Sequence, residues 1–247
     1  MISEFSLFVF TTLGGVGAGM YAASAVFPVK GKRDNMLASA IPLVLLIIGC
    51  IALLMHLGHP ERMFNAFANP TAGITLEAFA TCAFGIILVI DLILSFVKEA
   101  APRALRVAGA VVGVVLCVVM GIAYFTYESV AAWHSLATVP MFLFGSLAAG
   151  ALLLSALSEA SRAAKGSTAT MTALAAIAAV AIAFDGAVFA GLGRSAMPFA
   201  CAAVLAAAAA AAAFYAGKKN IAKAGWGAFA LMFIAVIVAR YAFYSVI

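Results

Sequence analysis

The chain has 247 residues, 67% of them hydrophobic and 9% charged, with a mean hydropathy of +1.19. A soluble domain carries roughly 25% charged residues, so this composition excludes an ordinary water-soluble protein and leaves lipid as the solvent for most of the surface. The net charge of +5 does not point to nucleic acid, because the bases lie between hydrophobic runs, where they report membrane topology.

In chain order the apolar runs fall at 5–27, 36–57, 74–97, 104–127, 136–158, 168–191, 197–216 and 222–246. Each is close to the length of about 20 residues that a helix needs to cross the hydrocarbon core. Runs this long are expected to be helical, because a backbone in lipid has to satisfy its own hydrogen bonds. The opening Met1-Ile2-Ser3-Glu4 lacks the basic stretch of a signal peptide, so the first run is read as a retained span. Pro28 to Asp34 separates the first two runs, Lys98 to Arg103 the third from the fourth, and Gly217 to Asn220 the last two. The seventh run carries eight alanines, Ala206 to Ala213, which suit close packing of helix against helix. Phe8-x-Phe10-x-x-Leu13 is echoed by Phe142-x-Phe144-x-x-Leu147, a faint sign of a duplicated four-helix unit.

Of the fourteen bases, the odd connectors hold Lys30, Lys32, Arg33, Lys98, Arg103, Arg106, Arg162, Lys165, Lys218, Lys219 and Lys223. The even connectors hold only Arg62 and Arg194, and Arg240 lies inside the last run. The odd connectors therefore face the cytoplasm. The expected fold is an all-α integral membrane protein, a bundle of eight transmembrane helices with both termini outside, forming one polytopic membrane domain over residues 1–247. No segment outside the runs is long enough for a soluble catalytic domain, so any chemistry sits in the bilayer, at its edge or on a partner.

Cys50, Cys82, Cys117 and Cys201 each stand alone in an apolar run, without a CxxC neighbour, and are read as small apolar core residues rather than metal or disulfide partners. His56 and His59 have a spacing that suits metal ligands, but Gly58 and Pro60 break the helix and no third ligand is evident. Three histidines, all toward one side, exclude a pair of transmembrane haems.

Ionisable groups inside a membrane point to function by default, and here they gather toward the outer edge. His56 ends the second run, Glu77 begins the third, and Glu128 and His134 flank the fourth connector. Asp185 lies about 9 Å below the outer end of the sixth run, and Arg240 at a similar depth in the eighth. Tyr124, Tyr127, Tyr241 and Tyr244 add hydroxyls at that level, where tyrosines usually form an interfacial belt. Asp185 and Arg240 suit a neutralising pair. Asp91, nearer the cytoplasmic end of the third run, is the exception. A histidine at the membrane edge can accept a proton from a quinol, because it titrates near neutral pH, and a nearby carboxylate such as Glu77 can orient it or carry the proton to water.

The stretch His56-Leu57-Gly58-x-Pro60-x-Arg62-x-Phe64-Asn65, with Glu77 downstream, resembles the membrane anchor subunits of dimethyl sulfoxide reductases. So do Glu4-Phe5-x-Leu7-x-x-Phe10-Thr11 with Ala18-Gly19, Trp133-x-Ser135 with Thr138-x-Pro140, and Ala239-Arg240-x-x-Phe243-Tyr244. The resemblance covers nearly the whole chain. It implies a haem-free anchor in a prokaryotic inner membrane, carrying a molybdopterin catalytic subunit and an iron–sulfur subunit on its outer face. Such an anchor binds menaquinol and passes electrons to the iron–sulfur partner. On the matching positions His56, Glu77, Arg240 and Tyr244 would form the quinol site, with Asp185 and Tyr124 as structural or proton-path residues and no metal on this chain. Gly15 departs from the glutamine expected in the first helix, and Val236 from the glutamate that often precedes the arginine, which makes Asp185 a substitute partner for Arg240.

The alternative is a transporter or ion-translocating protein using Asp91, Asp185 and Arg240 as a polar path. A transporter would place such groups near the midplane at broken helices, and no run has a central Pro–Gly break. A purely structural anchor would leave His56 without a role.

Overall fold

A computed structural model describes residues 4–56, 69 and 72–246. Among these the helices in chain order are α1 (Phe5–Val26), α2 (Lys32–His56), α3 (Gly73–Lys98), α4 (Arg103–Phe125), α5 (Thr138–Leu157), α6 (Glu159–Arg162), α7 (Ser167–Gly191), α8 (Met197–Lys219) and α9 (Ala222–Tyr244). Eight are long and apolar enough to cross a membrane, α6 being a single turn.

The helix ends follow local chemistry. α2 starts at Lys32, before its apolar run, with Asp34 in the first turn, where an acid complements the helix dipole. α3 stops at Glu99 and α8 at Asn220, both left-handed, with φ of 68° and 51°. Pro102 then leads into α4, and Lys218 and Lys219 occupy the last turn of α8. The short α6 has no counterpart in the hydrophobic pattern. Ser158 caps it by accepting from the Ser161 amide, and Ser161 in turn donates to the Pro28 carbonyl at 2.8 Å, tying α6 to the end of α1.

Helices α1 to α4 form a closed ring, α1 against α2, α2 against α3, α3 against α4 and α4 against α1. Helices α5, α7, α8 and α9 repeat that order of contacts. The faint sequence echo between the starts of α1 and α5 thus falls on the first helix of each ring. The rings join through α1 and α5, which pack on each other and are the most buried spans.

That junction is built from absent side chains. A Cβ on Gly150 would overlap the backbone of Gly19 and Met20, and one on Gly19 would overlap the backbone of Ser146. Lipid chains are as apolar as leucine, so helices associate here through van der Waals contact, and small residues let backbones meet. α8 uses its alanines in the same way: Ala202, Ala206, Ala209, Ala213 and Ala216 recur at helical spacing along its buried face.

The cysteines depart from the core reading. Cys117 is buried, Cys50 is half-buried, and Cys82 and Cys201 are exposed on the outer surface of the rings. In lipid an exposed thiol incurs little solvation cost, so hydrophobicity alone does not separate core from lipid-facing positions.

Gly150→Leu is expected to destabilise the detergent-solubilised protein by about 1–3 kcal/mol or more, because the added carbons meet backbone that cannot move aside. Gly227→Leu, at an exposed site with nothing near the glycine, serves as the control and should be close to neutral. Equal thermal unfolding midpoints for the two variants would contradict the α1/α5 packing.

Candidate functional site

The end of the bundle that holds both termini gathers an aromatic cluster. Tyr124 closes α4, Trp133 comes from the connector, Phe142 from the second turn of α5, and Phe243 and Tyr244 from the end of α9. Tyr124 stacks on Phe142 at 5.4 Å between ring centroids and meets Tyr244 edge-on at 5.3 Å. Trp133 stacks on Phe243 at 5.5 Å and donates its indole N–H to the Phe243 carbonyl at 2.8 Å. The Tyr244 hydroxyl is 3.2 Å from the Thr11 hydroxyl of α1. Trp133 and Thr11 belong to the sequence motifs, which assign them no role. Trp133 anchors the connector to the last turn of α9, and Thr11 fixes Tyr244.

The tyrosines do not form one belt. Tyr127 and Tyr241 are half exposed, as belt residues are, whereas Tyr124 and Tyr244 are buried. Their neighbours separate them: Tyr244 is covered by the rings of Phe8, Tyr124, Trp133 and Phe142, whereas Tyr241, three residues earlier, meets Phe8 edge-on and stays half exposed.

Arg240 lies one turn below Tyr244 and is 1% exposed. Its Nη2 donates to the Ser146 hydroxyl at 2.7 Å and to the Phe142 carbonyl at 3.2 Å, and its guanidinium sits 4.7 Å from the centre of the Phe142 ring. Its Nη1 has no partner among the described residues. The expected pairing with Asp185 is not formed: among the described residues no carboxylate lies within ion-pair distance of Arg240, and both oxygens of the fully buried Asp185 lack partners. The two residues lie on different helices, α7 and α9, and similar depth does not imply contact. Gly15 has a physical explanation. A Cβ there would overlap the Ser146 hydroxyl and stand 3.4 Å from Arg240 Nη1, so Ser146 occupies the space and supplies the oxygen. Val236, one turn below Arg240, is buried and apolar.

Glu77, in the second turn of α3, is 8% exposed, and its Oε1 is buried without a partner among the described residues. It is within electrostatic range of Tyr124 and Tyr244, which in turn sense Arg240. The structure therefore brings Glu77, Tyr124, Tyr244 and Arg240 into one neighbourhood and leaves Asp185 outside it. α2 ends at His56, whose side chain lies outside the described residues, as do residues 57–68 of the HLGxPxR segment with His59. In the fourth connector Glu128 is exposed, and the His134 ring stacks on Phe125 with Nδ1 2.6 Å from the Phe125 carbonyl. Among the described residues no group of three His, Cys, Asp or Glu side chains is placed to hold a metal ion.

A second polar cluster, which the sequence pattern does not announce, lies at the opposite end. Fully buried Asp91 accepts from the Tyr21 hydroxyl at 2.7 Å, the Ser95 hydroxyl at 2.9 Å and Arg106 Nε at 3.1 Å. In sequence Arg106 is one connector base among several, although it lies one turn inside α4, opposite Asp91, about two turns before the end of α3. With its oxygens satisfied from three helices, Asp91 is a structural group and has no free valence for a ligand.

Compared with known proteins, the chain matches the DMSO reductase anchor subunit (DmsC) family over residues 1–245. It is 31% identical over 165 residues to one of the chains of the anaerobic dimethyl sulfoxide reductase of Escherichia coli K12, an alignment covering 62% of this protein and 57% of that one. It is 28% identical over 181 residues to one of the subunits of the sulfite dehydrogenase of Allochromatium vinosum, covering 64% of this protein and 56% of that one. The matched region spans a little over half the length of these curated relatives.

Asp91→Ala is expected to cost about 3–5 kcal/mol in stability, because it leaves the Arg106 charge buried and unpaired. The double variant Asp91→Ala/Arg106→Met should recover most of that loss in unfolding measurements in detergent. A double variant as unstable as the single one would show that the pair does not carry this end of the bundle.

Proposed function

The chain belongs to the DMSO reductase anchor subunit family, and from that premise we propose that it oxidises menaquinol at the end of the bundle carrying its termini, as the membrane anchor of a molybdopterin/iron–sulfur respiratory reductase. The observation that carries this reading is Glu77, a buried carboxylate with an acceptor oxygen free among the described residues, within electrostatic range of two buried tyrosines and one turn from the start of α3. A carboxylate of this kind suits a hydroxyl donor arriving from the lipid, and a quinol ring carries two. His56, at the facing end of α2, supplies the second acceptor.

In this scheme one ring hydroxyl donates to Glu77 and the other to His56. Two electrons leave the ring for the iron–sulfur partner and two protons pass to water, so quinol becomes quinone. Tyr124 and Tyr244 wall the site and hold it dry. Arg240, enclosed beneath them, does not touch the ring; its charge stabilises the negative charge that develops as the protons leave. The bases cluster at the opposite end, which supports an outer location for both termini and for the partner subunits. Quinol oxidation and substrate reduction then share one side of the membrane, and turnover moves little net charge across it.

The transporter reading needs a continuous polar path. Asp91 is locked to Arg106 at one end, Asp185 stands apart, and Arg240 belongs to the aromatic cluster, so the three residues do not join. Electron flow in the reverse direction, reducing quinone, is the second reading; the likeness to a sulfite dehydrogenase subunit favours it. Assay of the purified complex with quinol and with quinone separates the two directions.

His56→Ala should lower quinol-dependent reduction by about 10²–10⁴, the usual cost of losing one acid–base group, with the complex still assembled. Glu77→Gln should lower it less, since an amide still offers one acceptor oxygen. Both variants should retain full activity with an artificial donor that reduces the partner directly. Wild-type quinol turnover in an assembled His56→Ala complex would remove the central residue of the proposal.

A further inference from the structure

An apolar groove of about 620 Å³ runs along the outer surface of the first ring, between α2 and α3. Leu43, Leu46, Ile47, Cys50, Ile51 and Leu54 form one wall, and residues 81–90 of α3 form the other. Its volume is within the range of about 300–1,000 Å³ typical of small-molecule sites. The floor is open at Gly85, where a Cβ would meet only the tip of Leu46, at 3.5 Å. Stiff β-branched side chains, Ile47, Ile51, Ile86, Val89 and Ile90, stand exposed along its flanks. On the wall of this groove is Thr81, whose hydroxyl oxygen is buried and without a partner among the described residues.

The groove has a direction. From Leu43 to Leu54 it follows α2 for about 17 Å, and it stops two residues short of His56. On α3 its upper limit, Thr81, is one turn from Glu77, on the adjoining strip of the helix. A hydrocarbon tail lying in it therefore delivers whatever it carries to the level of Glu77, about 6 Å inside the start of α3. A phospholipid headgroup needs water and would stand above that level. A quinol ring, apolar with two hydroxyls, suits it.

We infer that the α2/α3 groove holds the isoprenoid tail of the quinol and thereby positions the ring at Glu77. This rests on the quinol reading of Glu77. Lipid competes for the same surface without a transfer penalty, so the preference comes from shape: a branched, kinked tail fits between β-branched ridges over a glycine floor, and a straight acyl tail leaves it part empty.

The test uses the purified complex in nanodiscs and two quinols with the same ring, one with a long isoprenoid tail and one without. Gly85→Leu, which fills the floor, should raise KM for the tailed quinol about tenfold and leave KM for the tailless one and the artificial-donor activity unchanged. Equal effects on both quinols, or none, would overturn the groove assignment. Glu77→Gln should impair both quinols alike, so loss of the head-group site reads differently from loss of the tail site. A menaquinone bearing a diazirine on its tail gives a readout independent of any variant. Its adducts should map to residues 43–54 and 81–90 and disappear under excess unlabelled menaquinone; adducts spread equally over α8, or insensitive to competition, would contradict the inference.

Discussion

The crossing of α1 and α5 is the contact on which the rest of the arrangement depends. Lipid supplies no hydrophobic drive to hold helices together, so the two rings meet by direct backbone contact, at Gly19 against Ser146 and Gly150 against Gly19 and Met20. That crossing sets α5 beside α1, and α9, packed on α5, carries Arg240 to Ser146 and the Phe142 carbonyl. It also brings α4 beside α5, so that Tyr124 stacks on Phe142. A buried polar and aromatic neighbourhood drawn from both rings follows from a few missing side chains.

The two ends of the bundle use charge in opposite ways. At the basic end Asp91 and Arg106 neutralise each other, with Tyr21 and Ser95 completing the acid's hydrogen bonds, and the result is rigid and closed. At the end with the termini, Arg240 and Glu77 are both buried, yet among the described residues each keeps one polar atom free. Buried polar atoms are nearly always paired, so the free Glu77 oxygen is a departure that a hydrogen-bonding ligand would relieve, whereas Arg240 is enclosed beneath the tyrosines. Asp185 also has oxygens without partners among the described residues, but it stands apart from this cluster and from every described charged partner.

Much of the helical plan is legible in the sequence because long uncharged runs and alternating basic connectors follow directly from what lipid tolerates. What faces what is not. The periodicity that marks a buried face in water fades when both core and surroundings are apolar, so Cys82 and Cys201 read as core and prove exposed. Tyr124 and Tyr127 look alike in sequence, and only the packing of α4 against α5 buries the first while the second, past the helix end, stays half exposed. The Asp185–Arg240 pairing fails because equal depth does not fix which helices adjoin. Asp91 with Arg106 is findable in principle: an acid inside one span and a base one turn inside the next face each other across a short connector. Gly15 shows the limit, since its meaning depends on Ser146, a residue 131 positions away that no local pattern connects to it.

The central claim is that a quinol ring binds where α2 ends and α3 begins. A cryo-electron microscopy map of the assembled complex in menaquinol-loaded nanodiscs tests it most directly. The account predicts ring density within hydrogen-bonding distance of Glu77, walled by Tyr124 and Tyr244, with the partner subunits covering the same end of the bundle. Ring density at the basic end near Asp91 and Arg106, or partners seated on that end, would contradict it.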